Sequence, residues 1–138
     1  MAGTVSRVVD GDTVHVTDGR GSRIKVRVLG IDTPETVDPR VPVQCWGPEA
    51  TQFATTTLLN KKVTPVTDPT QATRDRYDRL LAYVYLPDGA NYSVLAARAG
   101  AAHSYVFNHK PVAQHAAIAA AEAQARAAHQ GLWGTCPA

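Results

Sequence analysis

An α+β architecture follows from how the composition changes along these 138 residues. Residues 1–35 hold 13 Val, Ile and Thr, a density typical of strands. After Gly89 lie 17 of the 22 alanines, a helical bias. Two Asp-Gly pairs, Asp10-Gly11 and Asp18-Gly19, mark tight turns between the β-rich runs.

Those turns set strands near 4–9, 12–17 and 22–31, a three-stranded meander. In the third run Ile24, Val26 and Val28 alternate with Arg23, Lys25 and Arg27, which predicts one apolar and one cationic face. Gly47-Pro48-Glu49 opens a helix, because proline fits a first helical turn; Phe53, Leu58 and Leu59 suit its buried side. Residues 63–67 and 80–86 read as two further strands. Asn91 suits the cap of a short helix ended by Gly100. A last helix is expected from about Pro111 to Gln130, stopping at Gly131, with Val112, Ala116, Ala119, Ala123 and Ala127 on its packed face. Five strands with a helix between the third and fourth match a small OB-type barrel carrying three α-helices.

The length suits a single domain over residues 1–138, with enough surface burial for a true core. No apolar run approaches the ~20 residues of a membrane span. Residues 1–9 lack the basic start and apolar stretch of a signal peptide, so a signal is expected to be absent from this chain. The formal charge of +2 is too small to establish a nucleic-acid partner.

The acidic side chains are more telling. Asp10 and Asp12 flank one turn, and Asp32 and Glu35 follow the cationic strand. A hard cation such as Ca²⁺ takes carboxylate and carbonyl oxygens, and Asp12 and Asp32 supply them if the second and third strands are neighbours. Separately, each segment reads as a plain turn or a capped loop; together, with Arg27 between them, they read as a site. The run Arg74-Asp75-Arg76-Tyr77-Asp78-Arg79 would alone be a solvated loop. Facing bound metal, its arginines would clamp phosphate through the planar guanidinium fork, and Tyr77 and Tyr105 would stack a base.

Asp10-Gly11-Asp12-Thr13, then the run from Arg27 to Glu35 (RVLGIDTPE), then Gly47-Pro48-Glu49-Ala50, then the run from Asp75 to Tyr83 (DRYDRLLAY) together resemble the staphylococcal nuclease (thermonuclease) family. Ala99-Gly100, Tyr105-Val106, the run from Glu122 to Ala125 and Leu132-Trp133 extend the likeness nearly to the end. The resemblance implies an OB-fold barrel with three helices and Ca²⁺-dependent endonuclease activity on DNA and RNA. Products with a 3′-phosphate and a 5′-hydroxyl are implied too. By the same resemblance Asp12, Asp32 and the Thr33 carbonyl would hold Ca²⁺. Glu35 would be the general base, and Arg27 and Arg79 would bind the scissile phosphate. Tyr77 and Tyr105 would contact the nucleotide. Single-stranded or locally melted substrate, a monomeric state and no membrane partner are expected. The chain departs from the family pattern at Asp78 and Leu80, where glycines flank the arginine; a stiffer loop with a competing carboxylate is expected there. Phe107 stands where a second tyrosine is usual.

Cys45 and Cys136 are 91 residues apart, which excludes a CxxC motif. They are either two buried thiols or one long-range disulfide, the latter expected if the last helix packs near the first. A bridge would point to a secreted protein; two thiols would suit the cytoplasm. The five histidines have no zinc-like spacing. His15, between Val14 and Val16, is expected to face solvent, and Trp46 and Trp133 are expected to pack. A second class of function is an OB barrel that holds single strands without cutting; a third is a purely structural domain. The presence of Asp12, Arg27, Asp32, Glu35 and Arg79 favours the enzyme, and a calcium-dependent plasmid-nicking assay separates these classes.

Overall fold

The computed structural model describes residues 2–36, 38, 40 and 42–137. Five strands close a mixed barrel in the order β1 (Gly3–Asp10), β2 (Thr13–Thr17), β3 (Arg23–Val28), β6 (Leu80–Tyr85), β5 (Lys62–Val66), with β5 returning to β1. Neighbours are antiparallel except β3 and β6, which pair in parallel through Val26 opposite Leu80 and Val28 opposite Ala82. Inside stand Val5, Val14, Val16, Val26, Val28, Ala82 and Val84, all fully buried. The α+β, five-stranded OB-type barrel expected from the residue pattern is the observed architecture.

Three helices flank the barrel. α1 (Gly47–Leu58) starts with Pro48 in its first turn and buries Ala50, Ala54 and Leu58, while Phe53 and Leu59 are only half-buried. α2 (Tyr92–Arg98) is capped by Asn91, whose side chain accepts from the Ser93 N–H at 2.9 Å. α3 (His115–Ala127) is shorter than the expected 111–130 helix, and a single turn, α4 (Leu132–Thr135), follows it. The packed face of α3 is Ile118, Ala121 and Ala125, not Ala116, Ala119, Ala123 and Ala127. Alanine occupies every side of this helix, so its one large apolar residue, Ile118, decides which side is buried.

Two further differences concern strands. The third run does not continue to residue 31 but breaks at Gly30, whose φ of +82° is in the left-handed region. A Cβ there would stand 2.5 Å from Ile118 Cδ1, so the break also lets α3 approach. Ile31–Asp32 (β4) then pairs with His103–Ser104 (β7) as a separate two-stranded ribbon. The second difference is His15, which is 8% exposed rather than solvated. Bulges in β1 realign its side chains, leaving the long side chains of Arg7 and Lys25 as the cross-strand neighbours of His15.

Cys45 and Cys136 are joined in a disulfide with Cα atoms 5.9 Å apart, tying the segment ahead of α1 to the end of α4. Trp46 and Trp133 are half-buried beside it. Trp133 takes the Arg126 guanidinium over its ring and the His103 ring at its edge, a packing role as expected. Asp68 is a buried charged anchor. It accepts from the Tyr83 hydroxyl at 2.5 Å, from the Thr70 N–H and hydroxyl, and from the Ala113 N–H. Burial resists its charge, yet these donors hold the carboxyl down at about 2.

Candidate active site

The turn between β1 and β2, the chain just after β3 and the loop ahead of β6 meet at one rim of the barrel. Asp12 sits in the first of these, 6% exposed, with both oxygens engaged. Its Oδ2 accepts from the Thr33 N–H at 3.1 Å and its Oδ1 from the Thr13 hydroxyl at 3.0 Å. Gly11 makes this approach possible, because a Cβ there would lie 2.7 Å from the Thr33 methyl. Arg27 projects from β3 between the two acidic segments. Its Nη2 lies 3.4 Å from Asp12 Oδ2 and 3.6 Å from Asp32 Oδ1, so both carboxylates face one guanidinium. Its Nη1 donates to the Val28 and Ile31 carbonyls at 2.6 and 2.9 Å, which fixes the plane of the fork.

Arg79 arrives from the other side. Its Nη1 reaches the Thr13 hydroxyl at 3.4 Å, and through it the Asp12 carboxylate. Asp75 grips Arg79 at Nε (2.7 Å) and at its backbone N–H (3.0 Å). The expected competition from Asp78 is therefore corrected: Asp78 takes the left-handed conformation with φ 61°, which aspartate tolerates, and its exposed carboxylate faces Arg74 at 3.7 Å. Tyr77 packs its ring against Arg79 at 5.3 Å and Arg76 at 4.9 Å. Tyr105 lies 5.7 Å from the Arg27 guanidinium, placed there by the β4–β7 ribbon and by its N–H bond to the Gly30 carbonyl. Phe107 is 64% exposed.

Glu35 lies two residues beyond Thr33. Its Oε2 accepts from the Thr36 and Asp38 N–H groups at 2.8 and 3.3 Å. Its own N–H donates to Gln44 Oε1 at 2.7 Å, and its carbonyl accepts from the Gln44 N–H. These bonds orient the carboxylate on a short loop.

Residues 25–135 match the family model described as staphylococcal nuclease homologue. The chain belongs to the staphylococcal nuclease family. It is 48% identical over 82 residues to a protein named thermonuclease from Staphylococcus hyicus, covering 59% of this chain and 47% of that one. It is 42% identical over 100 residues to a thermonuclease of Staphylococcus intermedius, covering 72% and 57%. A protein named uncharacterized endonuclease from Escherichia coli is 37% identical over 132 residues, covering 95% and 76%. The chain thus spans about half the length of the two thermonucleases.

In this member of the staphylococcal nuclease family the carboxylates differ sharply in electrostatic state. Asp10 is buried and lies against Asp12, and its carboxyl is pushed up to about 8 by burial first and by the Asp12 charge second. Burial also opposes the charge on Asp12, but Arg27 and the Asp10, Thr33 and Thr13 hydrogen bonds outweigh it and hold that carboxyl below its usual range. Asp32, with 56% of its side chain exposed, is raised by partial desolvation and by Asp12, against the pull of Arg27. Among the described residues no three Asp, Glu, His or Cys side chains form a metal-binding group by themselves. Two carboxylates and a backbone carbonyl are nonetheless hard donors that suit Ca²⁺, with the remaining positions left to water or substrate. Thr33 Oγ1, buried beside them with no hydrogen-bond partner among the described residues, fits a hydrated cation.

Several residues that shape the site were not legible in the sequence. Tyr92 donates to the Gly11 carbonyl at 2.6 Å, and its neighbour Ser93 donates to the Leu29 carbonyl at 2.7 Å. One turn of α2 thereby braces both loops of the rim. The Asn91 cap signal announces the helix but not this grip. Thr13 and Asp75 were visible only as parts of motifs, with no separate sign of their contacts.

Proposed function

We propose that this chain is a single-domain, Ca²⁺-dependent endonuclease that hydrolyses phosphodiester bonds of DNA and RNA to 3′-phosphate and 5′-hydroxyl ends. The observation that carries the reading is the pair of guanidiniums converging on the Asp12–Thr13 turn: Arg27 between Asp12 and Asp32, and Arg79 on the Thr13 hydroxyl. The family membership and the names of the relatives support it.

Asp12, Asp32 and the Thr33 carbonyl would hold the ion. When bound, Ca²⁺ supplies Lewis-acid charge at a nonbridging phosphate oxygen. Arg27 and Arg79 donate to the nonbridging oxygens and counter the extra charge of the five-coordinate state. Glu35 accepts a proton from the attacking water as its oxygen bonds to phosphorus. The bond from phosphorus to the 5′ oxygen breaks, and that oxygen leaves as a hydroxyl, taking its proton from solvent water. Tyr77 and Tyr105, 57% and 37% exposed, offer ring faces to unpaired bases, so single-stranded or locally melted substrate is favoured. The disulfide supports an oxidising compartment, and we place the protein outside the cell. No helix is long and apolar enough to cross a membrane among the described residues. We propose a monomer.

The test is Glu35→Gln assayed on DNA with Ca²⁺ and with chelator. Cleavage should fall by ~10²–10⁴-fold in the variant with an unchanged unfolding midpoint. Near-parental turnover in the folded variant removes Glu35 from the role. Equal cleavage by the parent in chelator removes the metal.

A further inference from the structure

The cationic face of β3 extends well past the candidate site. Arg23, Lys25 and Arg27 alternate with the fully buried Val26 and Val28 and the half-buried Ile24. Alternate residues of a strand stand about 6.6 Å apart, near the separation of successive phosphates on an extended single strand. Arg27 closes one end of that row at the Asp12–Asp32 pair. Arg23 and Lys25 continue it as exposed side chains.

Strand pairing widens the row. Arg7 of β1, His15 of β2 and Lys25 of β3 stand side by side across the sheet. The cations Arg7 and Lys25 thus flank one imidazole from either side instead of facing carboxylates across the strands. Among the described residues, every ion pair uses Arg27, Arg40, Arg74 or Arg79; Arg7, Arg23 and Lys25 make none. In their midst His15 is 8% exposed, and its Nδ1 has no hydrogen-bond partner among the described residues. Beside the row, Arg23, Ile24 and Lys25 join Arg74, Tyr77 and Asp78 in lining a polar hollow of about 320 Å³. The hollow connects the row to the loop that carries Arg79.

We propose that the outer face of β1–β3 is an exosite for the flanking backbone of a single-stranded nucleic acid, in which Arg7, Arg23 and Lys25 bind phosphates adjacent to the one held by Arg27. The proposal borrows from the nuclease reading only the position of that last phosphate. A polyanion laid along the row neutralises charges that the fold itself leaves unpaired, and it releases counterions in doing so. Sequence plays no part in such contacts, so the exosite favours length of strand over base identity.

The test compares the parent with Arg23→Ala/Lys25→Ala and with the triple variant that adds Arg7→Ala. Each is titrated with a labelled 12-nucleotide single strand in chelator, across a range of salt concentrations. Each lost phosphate contact should lower the slope of log affinity against log salt by about 0.7, so by about 2 in the triple variant. Affinity at low salt should fall at least tenfold. Cleavage of a dinucleotide, too short to reach the row, should equal the parent's in Ca²⁺. Parental slope and affinity in the triple variant overturn the exosite. So does an equal loss of dinucleotide cleavage, which would mean general damage. A third overturning result is unchanged oligonucleotide binding with lost adsorption to phosphatidylserine vesicles, which would make the face a membrane contact. If the parent cuts neither substrate, the nuclease reading falls while the salt slopes still decide the exosite.

Discussion

Removing the Cys45–Cys136 bridge tests how much of the stability comes from one covalent constraint. The pair spans 91 residues. Closing a loop of that length lowers the entropy of the unfolded chain by an amount equivalent to about 4–5 kcal/mol at 25 °C. Some of this is offset by relaxation, since α4 is also held by buried Leu132, by its N–H bond to the Gly100 carbonyl at 2.9 Å and by Trp133 against Arg126 and His103. Cys45→Ala/Cys136→Ala should therefore lose roughly 3–5 kcal/mol in urea unfolding. For a chain of this size that lowers the melting midpoint by roughly 10–20 °C. Trp46 adjoins Cys45 and Trp133 lies three residues before Cys136, so their fluorescence reports the transition on both sides of the bridge. The dependence on urea should also steepen, because the unbridged unfolded chain is more expanded. Reducing the parent should reproduce the variant's curve. A loss below about 1 kcal/mol with an unchanged slope would refute the entropic argument.

The remaining predictions concern the site. Asp10, with its carboxyl raised to about 8, keeps a proton in the folded metal-free chain that the unfolded chain releases near 3.8. That contribution is complete below about pH 4 and is lost as pH rises through 8, so Asp10→Asn should match the parent near pH 4. In chelator at pH 8 it should be more stable, on the order of 5 kcal/mol; melting curves that stay parallel across this range would contradict the assignment. Arg27→Lys keeps the charge but loses the fork that holds the Val28 and Ile31 carbonyls, so kcat should fall strongly on any DNA substrate. Arg79→Ala should both slow cleavage and weaken binding of a 5′-phosphorylated nucleotide, measured by calorimetry. Tyr92→Phe leaves the Gly11 carbonyl without its donor inside the protein and should cost about 1–3 kcal/mol in urea unfolding, with a rise in the Ca²⁺ needed for half-maximal rate.

What the sequence reveals is what local chemistry decides. Asp10-Gly11 and Asp18-Gly19 mark real turns, Pro48 a real helix start and Asn91 a real cap, because each acts on its own backbone neighbours. The family motifs place Asp12, Arg27, Asp32 and Thr33 together, and the structure does bring them together. Features set by distant partners were not legible. The break of β3 at Gly30 answers to Ile118, far along the chain, and the burial of His15 answers to bulges in the neighbouring strand. In α3 the alanines repeat on every side, so periodicity could not choose the packed face. Asp75 and Asp78 are alike in sequence, and only the turn geometry decides which one meets Arg79.

The parallel pairing of β3 with β6 also dictates the order in which the rim can assemble from the unfolded chain. Asp12 and Arg27 lie within a local meander whose hairpins need only short loops to close, whereas Asp32 lies in β4, which pairs with β7 far along the chain. Arg79 reaches them only when position 26 finds position 80. Non-local closures of that kind are slow, since the loop entropy is lost before any contact compensates. A chain with only the meander formed therefore holds Asp12 and Arg27 in place but neither Asp32 nor Arg79. The rim stays incomplete until Arg79 arrives, in the same event that pairs β3 with β6 and seals the barrel.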